Sequence, residues 1–323
     1  MEETTSRIDL TGFTEKINEL KGCIAEVIVG QDKAVDLILT TILANGHVLI
    51  EGVPGVAKTL LAKLISKLID ADFSRIQFTP DLMPSDVLGT TVFNMQTSVF
   101  DFHRGPLFGD VILVDEINRA PAKTQSALFE VMEERQITVD GKTFPMGGLY
   151  TVLATQNPIE QEGTYKLPEA QIDRFLMKIT LEYPSLDEEV AILERHHQQT
   201  DFVKLRSVKP VLKKEELLSL RELVRKVYVD ATLLRYIALI IQQTRTSKSV
   251  YLGASPRASV ALLQAAKAYA ILQGRDFVTP EDIKFVAVPV LHHRLLLTAE
   301  AEMEGYTSAK VTSRLIDKVE VPK

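Results

Sequence analysis

The feature that most limits the fold is a glycine-bearing loop between an apolar run and an amphipathic segment. The apolar run is His47-Val48-Leu49-Ile50, and apolar residues recur at helical spacing after the loop. A strand, a glycine loop and a helix with Lys-Thr in its first turn form the layout of a P-loop. Backbone N–H groups of such a loop cradle phosphates at the positive end of the helix dipole. We therefore expect nucleotide binding by Gly52, Val53, Pro54, Gly55, Val56, Ala57, Lys58, Thr59 and Leu60.

We expect a specific role or conformation for three residues of this loop. Lys58 is expected to reach the β- and γ-phosphates, and the Thr59 hydroxyl to ligate Mg²⁺. Ala57 stands where the usual motif has its last glycine. We expect Ala57 to have helical dihedrals, so that its methyl group fits without a positive φ. A chance glycine loop before a helix is the alternative, which the matching acidic strand described next disfavours.

Two carboxylates follow the most apolar strand of the sequence. Four consecutive apolar residues, Val111 to Val114, predict a central parallel strand that is buried on both faces. Asp115 and Glu116 come at its carboxyl end, where ligands bind in an open α/β sheet. Asp115 can hold the Mg²⁺ shell, and Glu116 can orient or deprotonate a water in line with the γ-phosphate. A solvated acidic turn is the alternative.

Two further polar residues lie at predicted strand ends. Asn157 follows the strand 149–154 and can hydrogen-bond the attacking water or the γ-phosphate; a polar turn residue before proline is the alternative. Arg174 precedes the strand 176–179, which places it away from the phosphates bound by its own chain. Such an arginine can point at the nucleotide of a neighbouring subunit. A surface ion pair with Asp173 is the alternative.

Two hairpins interrupt the predicted core strands. The first pairs residues 91–94 with 99–102, and the second pairs 136–139 with 142–144 around Asp140-Gly141, a strong two-residue turn signal. We expect both hairpins to project from the domain.

The pattern changes after Tyr183-Pro184, where strand signals end and helical periodicity dominates. We therefore predict a nucleotide-binding αβα core at residues 1–184 and an α-helical lid at 185–323. In the lid, Ser255-Pro256-Arg257 predicts a helix start with a cation in its first turn. That cation opposes the helix dipole, which is easier to understand if an anion such as the γ-phosphate lies opposite Arg257. An exposed arginine is the alternative.

The histidine pairs 196–197 and 292–293 do not have the spacing of a metal site. Adjacent residues point to different faces of a helix, and no cysteine or carboxylate completes a tetrahedron. We expect both pairs to lie at solvated helix ends.

Charge and composition limit the partners. The 323 residues carry a net charge of −6, so the general basic footprint of a nucleic-acid-binding protein is missing and nucleic acid is not the expected partner. No apolar run approaches the ~20 residues of a membrane span. The acidic, polar N-terminus does not fit a secretory signal, and a single cysteine, Cys23, is compatible with a reducing cytoplasm. We expect a cytoplasmic protein.

Four segments resemble AAA+ ATPases, and within them the MoxR family: GVPGVAKT, LVDEINRAPAKTQSALFEVMEERQITVDG, ATQNPIEQEGTYKLPEAQIDRF and LGASPRAS. Together they run from the P-loop to residue 259. The resemblance implies an α/β fold, a P-loop NTPase αβα sandwich with a five-stranded parallel sheet, plus a C-terminal helical lid. It matches Lys58 and Thr59 to Walker A, Asp115 and Glu116 to Walker B, Asn157 to sensor 1, Arg174 to the arginine finger and Arg257 to sensor 2.

The same resemblance implies a Mg²⁺-dependent ATPase that forms a homo-oligomeric ring, commonly a hexamer. Such proteins are thought to act as chaperones that remodel or mature client protein complexes, metal-cofactor insertion included, alongside proteins with a von Willebrand factor A domain. The hairpins resemble the helix-2 insert and the pre-sensor-1 hairpin of the clade that includes magnesium chelatase subunits. Two alternatives stay open: a DNA-directed, helicase-like AAA+ motor, and a slow nucleotide-gated binding scaffold.

Overall fold

The computed structural model describes residues 9–53, 55–157, 165, 167–197 and 208–322. Its strands, in chain order, are β1 (Val48–Gly52), β2 (Phe73–Gln77), β3 (Gly89–Asn94), β4 (Val99–Arg104), β5 (Val111–Asp115), β6 (Gln136–Val139), β7 (Lys142–Pro145), β8 (Thr151–Gln156), β9 (Met177–Leu181), β10 (Val250–Leu252) and β11 (Leu296–Leu297). Its α-helices are α1 (Thr11–Val27), α2 (Asp32–Leu43), α3 (Lys58–Leu68), α4 (Pro84–Leu88), α5 (Ala122–Glu134), α6 (Glu169–Ile172), α7 (Leu186–His197), α8 (Lys214–Lys226), α9 (Ala231–Thr246), α10 (Pro256–Leu272), α11 (Pro280–Leu291), α12 (Ala299–Met303) and α13 (Ser308–Asp317).

The central sheet contains five parallel strands in the order β2-β5-β8-β1-β9. The register pairs Leu153 of β8 with Leu113 of β5 on one side and with Val48 of β1 on the other. Because the strands are parallel, their carboxyl ends meet at one edge of the sheet. The glycine loop and the acidic residues therefore emerge at the same edge, as the sequence predicts.

Alternation along β5 builds a core on each face of the sheet. Val111 and Leu113 pack into one hydrophobic cluster, whereas Ile112 and Val114 pack into the other, and all four are fully buried. This two-residue period is the pleat of a strand. The first cluster includes residues of α1, α2 and α3, and the second includes residues of α4 and α5. The predicted αβα sandwich is confirmed.

The chain beyond residue 185 is mainly helical. Ser185 and Glu188 form the predicted capping box: the Ser185 N–H donates to Glu188 Oε2 at 2.7 Å, and the Glu188 N–H donates to Ser185 Oγ at 3.4 Å. The expectation that strands end before this part was wrong in one detail, because β10 and β11 pair there as a short antiparallel ribbon. Residues of α8 to α11 share the first hydrophobic cluster with α2, so the lid packs on the core. The boundary at 184/185 stays a prediction.

The expectation for the second histidine pair was wrong. His292 is buried and His293 is half-buried between the lid and the start of β9. His292 Nε2 lies 3.0 Å from the Lys178 carbonyl oxygen, and His293 Nε2 lies 3.2 Å from that of Phe175. Burial lowers the pKa of both imidazoles. His196 and His197, in contrast, are exposed in the last turn of α7.

The two hairpins form as predicted, and they pack against each other. The ring of Phe102 in β4 stacks on that of Phe144 in β7 with centroids 4.8 Å apart. Thr91 Oγ1 donates to Asp140 Oδ2 at 2.5 Å, which joins β3 to the second turn. Ile137 of β6 is 1% exposed and packs in the second hydrophobic cluster, so the second hairpin is anchored to the core. The two hairpins are therefore joined to each other, and their projection from the domain stays a prediction.

No helix within the described ranges is both long and apolar enough to cross a lipid bilayer.

Candidate active site

The glycine loop connects the end of β1 to the start of α3, with Lys58 as the first helical residue. The expectation for Ala57 was wrong: this N-cap residue has φ 57° and ψ 23°, in the left-handed region. The residue before α3 therefore has a left-handed backbone conformation. Glycine adopts this conformation freely, whereas alanine adopts it at a cost of about 1–2 kcal/mol. Pro54, one of the predicted contact residues, lies outside the described residues.

Lys58 reaches back across the loop, where its Nζ donates to the Gly52 carbonyl oxygen at 2.6 Å. The ammonium group thus lies inside the curve of the loop, beside the first turn of α3, which carries Thr59. That turn contains no acidic residue. The first turn of α3 therefore supplies no carboxylate of its own to offset the positive end of the helix dipole, which favours an anion.

At the adjacent edge of the sheet, one hydroxyl group aligns both acidic residues. Thr155 of β8 donates from Oγ1 to Asp115 Oδ1 at 3.3 Å and accepts from the backbone N–H of Glu116 at 3.0 Å. The other oxygen of Asp115, Oδ2, accepts from Arg75 Nε at 2.7 Å. Glu116 itself has a left-handed backbone, φ 57° and ψ 53°, which ends the strand abruptly.

The carboxylate of Glu116 has two side-chain donors on one oxygen. Its Oε2 accepts from Gln77 Nε2 at 2.8 Å and from Arg119 Nη1 at 3.0 Å. Sequence reasoning missed both donors, together with Arg75 and Thr155. The register that sets Gln77 beside Asp115 was the signal that could have found them, but it requires knowing that β2 pairs with β5.

Asn157 follows β8 directly and is 7% exposed. Since β8 lies between β5 and β1, Asn157 comes between the acidic residues and the glycine loop. The structure therefore brings Gly52, Asp115 and Asn157 to the carboxyl ends of three adjacent strands.

The two predicted arginines lie elsewhere, at the amino end of the sheet. Arg174 precedes β9, and its Nη2 is 2.8 Å from Glu133 Oε2 while its Nη1 donates to the Phe129 carbonyl oxygen at 2.6 Å. Asp173 pairs instead with Arg294 at 2.6 Å. The surface pair between Asp173 and Arg174 that the sequence left open is therefore not the arrangement observed.

Arg257 shares the carboxylate of Glu133. Its Nη2 is 3.1 Å from Glu133 Oε1, and its Nη1 is 4.0 Å from Asp173 Oδ2. Ser255 is the N-cap of α10 by position, although its side chain makes no capping hydrogen bond. The anion opposite Arg257 in this conformation is thus a carboxylate of the chain itself, and it joins Arg257 to Arg174.

The described residues contain no group of three or more histidine, cysteine, aspartate or glutamate side chains arranged to hold a metal ion. The Mg²⁺ of a phosphate loop needs no such group, because hydroxyl, carboxylate, water and phosphate oxygens share its coordination.

The strand order, the glycine loop and the acidic strand end define a P-loop nucleotide-binding domain with a helical lid. Residues 47–177 match the family model described as "ATPase family associated with various cellular activities (AAA)", and residues 242–315 match the model described as "AAA lid domain".

Relatives that match over most of both chains identify the family within this class of protein. The chain is 45% identical to Uncharacterized protein YeaC of Bacillus subtilis, over 96% of this chain and 97% of that protein. It is 43% identical to Chaperone MoxR1 of Mycobacterium tuberculosis, over 97% and 85%. A crystal structure from Cytophaga hutchinsonii, described as that of a candidate ATPase, superposes with a TM-score of 0.89 at 41% identity over 98% and 97%. The chain belongs to the MoxR family of AAA+ ATPases, and it hydrolyses ATP.

Proposed function

We propose that ATP lies along residues 52–60, with its γ-phosphate between Lys58 and the pair Asp115 and Glu116. One observation carries this proposal: the glycine loop, the acidic pair and Asn157 occupy the carboxyl ends of β1, β5 and β8, which are adjacent strands. Ligands of open α/β sheets bind at this edge. The left-handed Ala57 and the acid-free first turn of α3 support a phosphate site at the loop.

The residues present fit Mg²⁺. Thr59 supplies a hydroxyl oxygen in the first turn of α3, and Asp115 supplies a carboxylate that Thr155 and Arg75 already orient. Mg²⁺ prefers such hard oxygen ligands and keeps part of its water shell. When bound, the ion would neutralise charge that develops on the phosphate oxygens.

Hydrolysis requires a base near the γ-phosphate, and we assign that role to Glu116. The donors Gln77 and Arg119 occupy its Oε2, which leaves Oε1 to accept a proton from water. Asn157, at the end of the strand between Glu116 and the loop, would hydrogen-bond the attacking water or the γ-phosphate. This division of roles follows the general pattern of phosphoryl transfer, in which positioning and charge stabilisation dominate.

The arginines support a shared site between subunits. Arg174 and Arg257 converge on Glu133 at the amino end of the sheet, whereas the nucleotide residues lie at the carboxyl end. Both arginines thus lie at the opposite end of the sheet from the nucleotide residues of their own chain, and we propose that each meets the γ-phosphate of a neighbouring copy. Repeating this head-to-tail contact closes a ring, and we propose a hexamer, the state common in the family.

We propose that the ring remodels or matures client protein complexes. Support comes from the family and from the relative named Chaperone MoxR1. The joined hairpins offer a projecting surface that a cycling ATPase could move against a client. Metal-cofactor insertion, a client with a von Willebrand factor A domain, and a cytoplasmic location, with which the single Cys23 is compatible, belong to the same proposal.

The two alternatives predict different behaviour. A DNA-directed motor would bind DNA with an affinity that falls steeply with salt, and the net charge of −6 argues against it. A slow gated scaffold would bind ATP with negligible turnover, which the complete set of hydrolytic residues disfavours.

Calorimetry with Mg²⁺-ATP tests the proposed binding site. Lys58→Ala should weaken ATP binding by about a hundredfold or more, because one charged contact to two phosphates is lost. Lys63→Ala, an exposed lysine on the same helix, is the matched control and should leave binding unchanged. Equal affinity in both variants would place the nucleotide somewhere else.

A further inference from the structure

A cavity opens at the end of the sheet opposite the glycine loop. It has a volume of about 1010 Å³ and lies between the end of α2, the residues that precede β8, and the lid helices α8 and α10. This volume is at the upper end of the range for small-molecule sites. Its position at the amino ends of β1 and β8 separates it from the nucleotide residues, so the mechanism proposed above does not use it.

The lining of this cavity is strongly cationic. Four basic side chains, Arg135, Arg221, Arg225 and Lys267, line it together with one carboxylate, Glu222. The lining therefore carries an excess of three positive charges, in a protein whose net charge is −6. The carboxylate is already engaged, because Glu222 pairs with Arg225 at 3.2 Å.

Neutral groups hold the three other cations. Arg221, 7% exposed, donates to the carbonyl oxygens of Ile42 at 2.9 Å and Gly148 at 2.7 Å and lies 3.4 Å from the Thr151 hydroxyl. Arg135 donates to two backbone carbonyl oxygens, and Lys267 donates to a third. Within the described part of the chain, no carboxylate pairs with these three cations.

Such an arrangement is electrostatically costly without an anion. Arg221 is buried, whereas Arg135 and Lys267 are half-buried. A buried charge in a protein is normally paired with an opposite charge, and here the neighbouring Arg135 repels Arg221 instead. Desolvation and the neighbouring Arg135 lower the pKa of Arg221 to about 10, and desolvation lowers the pKa of Lys267. Each of these cations still has N–H groups beyond those that the carbonyl oxygens accept.

We propose that this cavity is an anion site for a small organic molecule that carries phosphate groups. Guanidinium forks and an ammonium group match the several oxygens of a phosphate, and Arg prefers this bidentate geometry. Part of the remaining wall is apolar, with Leu218, Val260 and Leu263, which suits an organic body attached to the phosphate. Gly147 and Gly148 complete the lining with no side chains to fill it.

The site joins the core to the lid, because its cations come from both. Arg135 follows α5 in the core, Arg221 lies on α8, and Lys267 lies on α10. An anion bound among them would neutralise charge at the contact between core and lid. It would therefore favour the closed packing in which the two parts share one hydrophobic cluster.

Titration calorimetry with inorganic pyrophosphate tests the site, in 0.15 M NaCl and on the full chain carrying Lys58→Ala, which removes the proposed nucleotide site. One pyrophosphate per chain should bind. Lys267→Gln should weaken binding by about tenfold or more, because it deletes one charge-assisted contact. Lys226→Gln, an exposed lysine on α8 that does not line the cavity, is the matched control and should bind as the background does.

A second substitution is included so that the test of the anion site does not depend on Lys267 alone. Gln264→Glu adds a carboxylate to the cavity wall and should compete with pyrophosphate, which again weakens binding by about tenfold. Titration with ADP in the same background identifies the source of the phosphate, since tighter binding than pyrophosphate indicates a nucleotide. Absent binding, or binding that Lys267→Gln and Lys226→Gln alter equally, overturns the proposal, whether or not the nucleotide site proves correct.

Discussion

Glu133 lies 2.8 Å from the guanidinium group of Arg174, and its other oxygen holds Arg257. One carboxylate at the end of α5 therefore gathers an arginine of the core and an arginine of the lid. Two like charges would otherwise separate. In the proposed shared site, Glu133 would position both arginines for a phosphate presented by another subunit.

Glu133→Gln tests this positioning role. The amide keeps the size of the side chain but removes the charge that balances the arginines, so the guanidinium groups should move apart. We expect kcat for ATP to fall by about tenfold, with KM changed by less than about threefold, since misplaced groups cost transition-state stabilisation. Glu134→Gln, an exposed neighbour, is the control. An unchanged or increased kcat for Glu133→Gln would contradict the role.

Subunit mixing tests whether the arginines act between subunits. Arg174→Ala and Lys58→Ala should each be inactive alone. Their equimolar mixture should recover roughly a quarter of the wild-type rate, because random head-to-tail assembly places an intact loop beside an intact arginine at one interface in four. Arg257→Ala should complement in the same way.

A mixture of Lys58→Ala with Glu116→Gln serves as the control for complementation. Both substitutions damage the same half of the site, so no interface regains activity. If the Arg174→Ala mixture also stays inactive, the shared site is excluded.

Thr155→Val tests the alignment of the acidic pair. Valine fills the same space but cannot donate to Asp115 or accept from the Glu116 N–H, which leaves a polar group unsatisfied. We expect turnover to fall by about tenfold and stability by about 1–3 kcal/mol, while ATP affinity changes little. Thr40→Val, a buried threonine that bonds only within α2, is the reference. Turnover equal to that of Thr40→Val would show that Thr155 does not align the acidic pair.

The buried His47 predicts how stability depends on pH. Its Nδ1 accepts from the Val152 N–H at 2.9 Å, and its Nε2 lies 3.2 Å from the Met132 carbonyl oxygen, so the neutral ring fits the site. Desolvation, with Arg135 nearby, lowers the pKa of His47 to about 3. In the unfolded chain the His47 imidazole binds a proton below about pH 6.5, whereas in the folded chain it binds one only below about pH 3.

Stability should therefore fall as pH falls through this window, by about 1.4 kcal/mol per unit for this group. Urea denaturation between pH 7 and pH 4 measures the slope. His47→Gln should reduce this slope by the share of His47, whereas His292 and His293 keep theirs. His103→Gln, which changes an exposed histidine on β4, should leave the slope as it is in the wild-type protein. Equal slopes in the two variants would refute the assignment.

Local patterns predicted the elements that carry the chemistry. The apolar run before Asp115, and the glycines before Lys58, each encode a strand end or a helix start within a few residues. Such signals need no knowledge of distant contacts, and the parallel sheet then brings these ends together. The second hairpin was predictable for the same reason, since the adjacent residues Asp140 and Gly141 encode its turn.

Long-range relationships were not predictable. The partners Arg75 and Gln77 of the acidic pair depend on the neighbouring strand, and Glu133 meets Arg257 across 124 positions of sequence. His292 and His293 follow the end of a helix, which predicts exposure, but tertiary packing buries His292 and half-buries His293. The prediction of helical dihedrals at Ala57 was wrong because the sequence does not show that the loop must adopt a left-handed backbone before α3.

The Glu116→Gln variant tests the central claim most directly, through phosphate release measured beside ATP binding. Glutamine preserves the contacts that hold the side chain but cannot take a proton from water. We predict an ATP dissociation constant within about threefold of wild type, with turnover reduced by at least about a hundredfold. Turnover equal to that of the wild-type protein would contradict the assignment of Glu116 as the base.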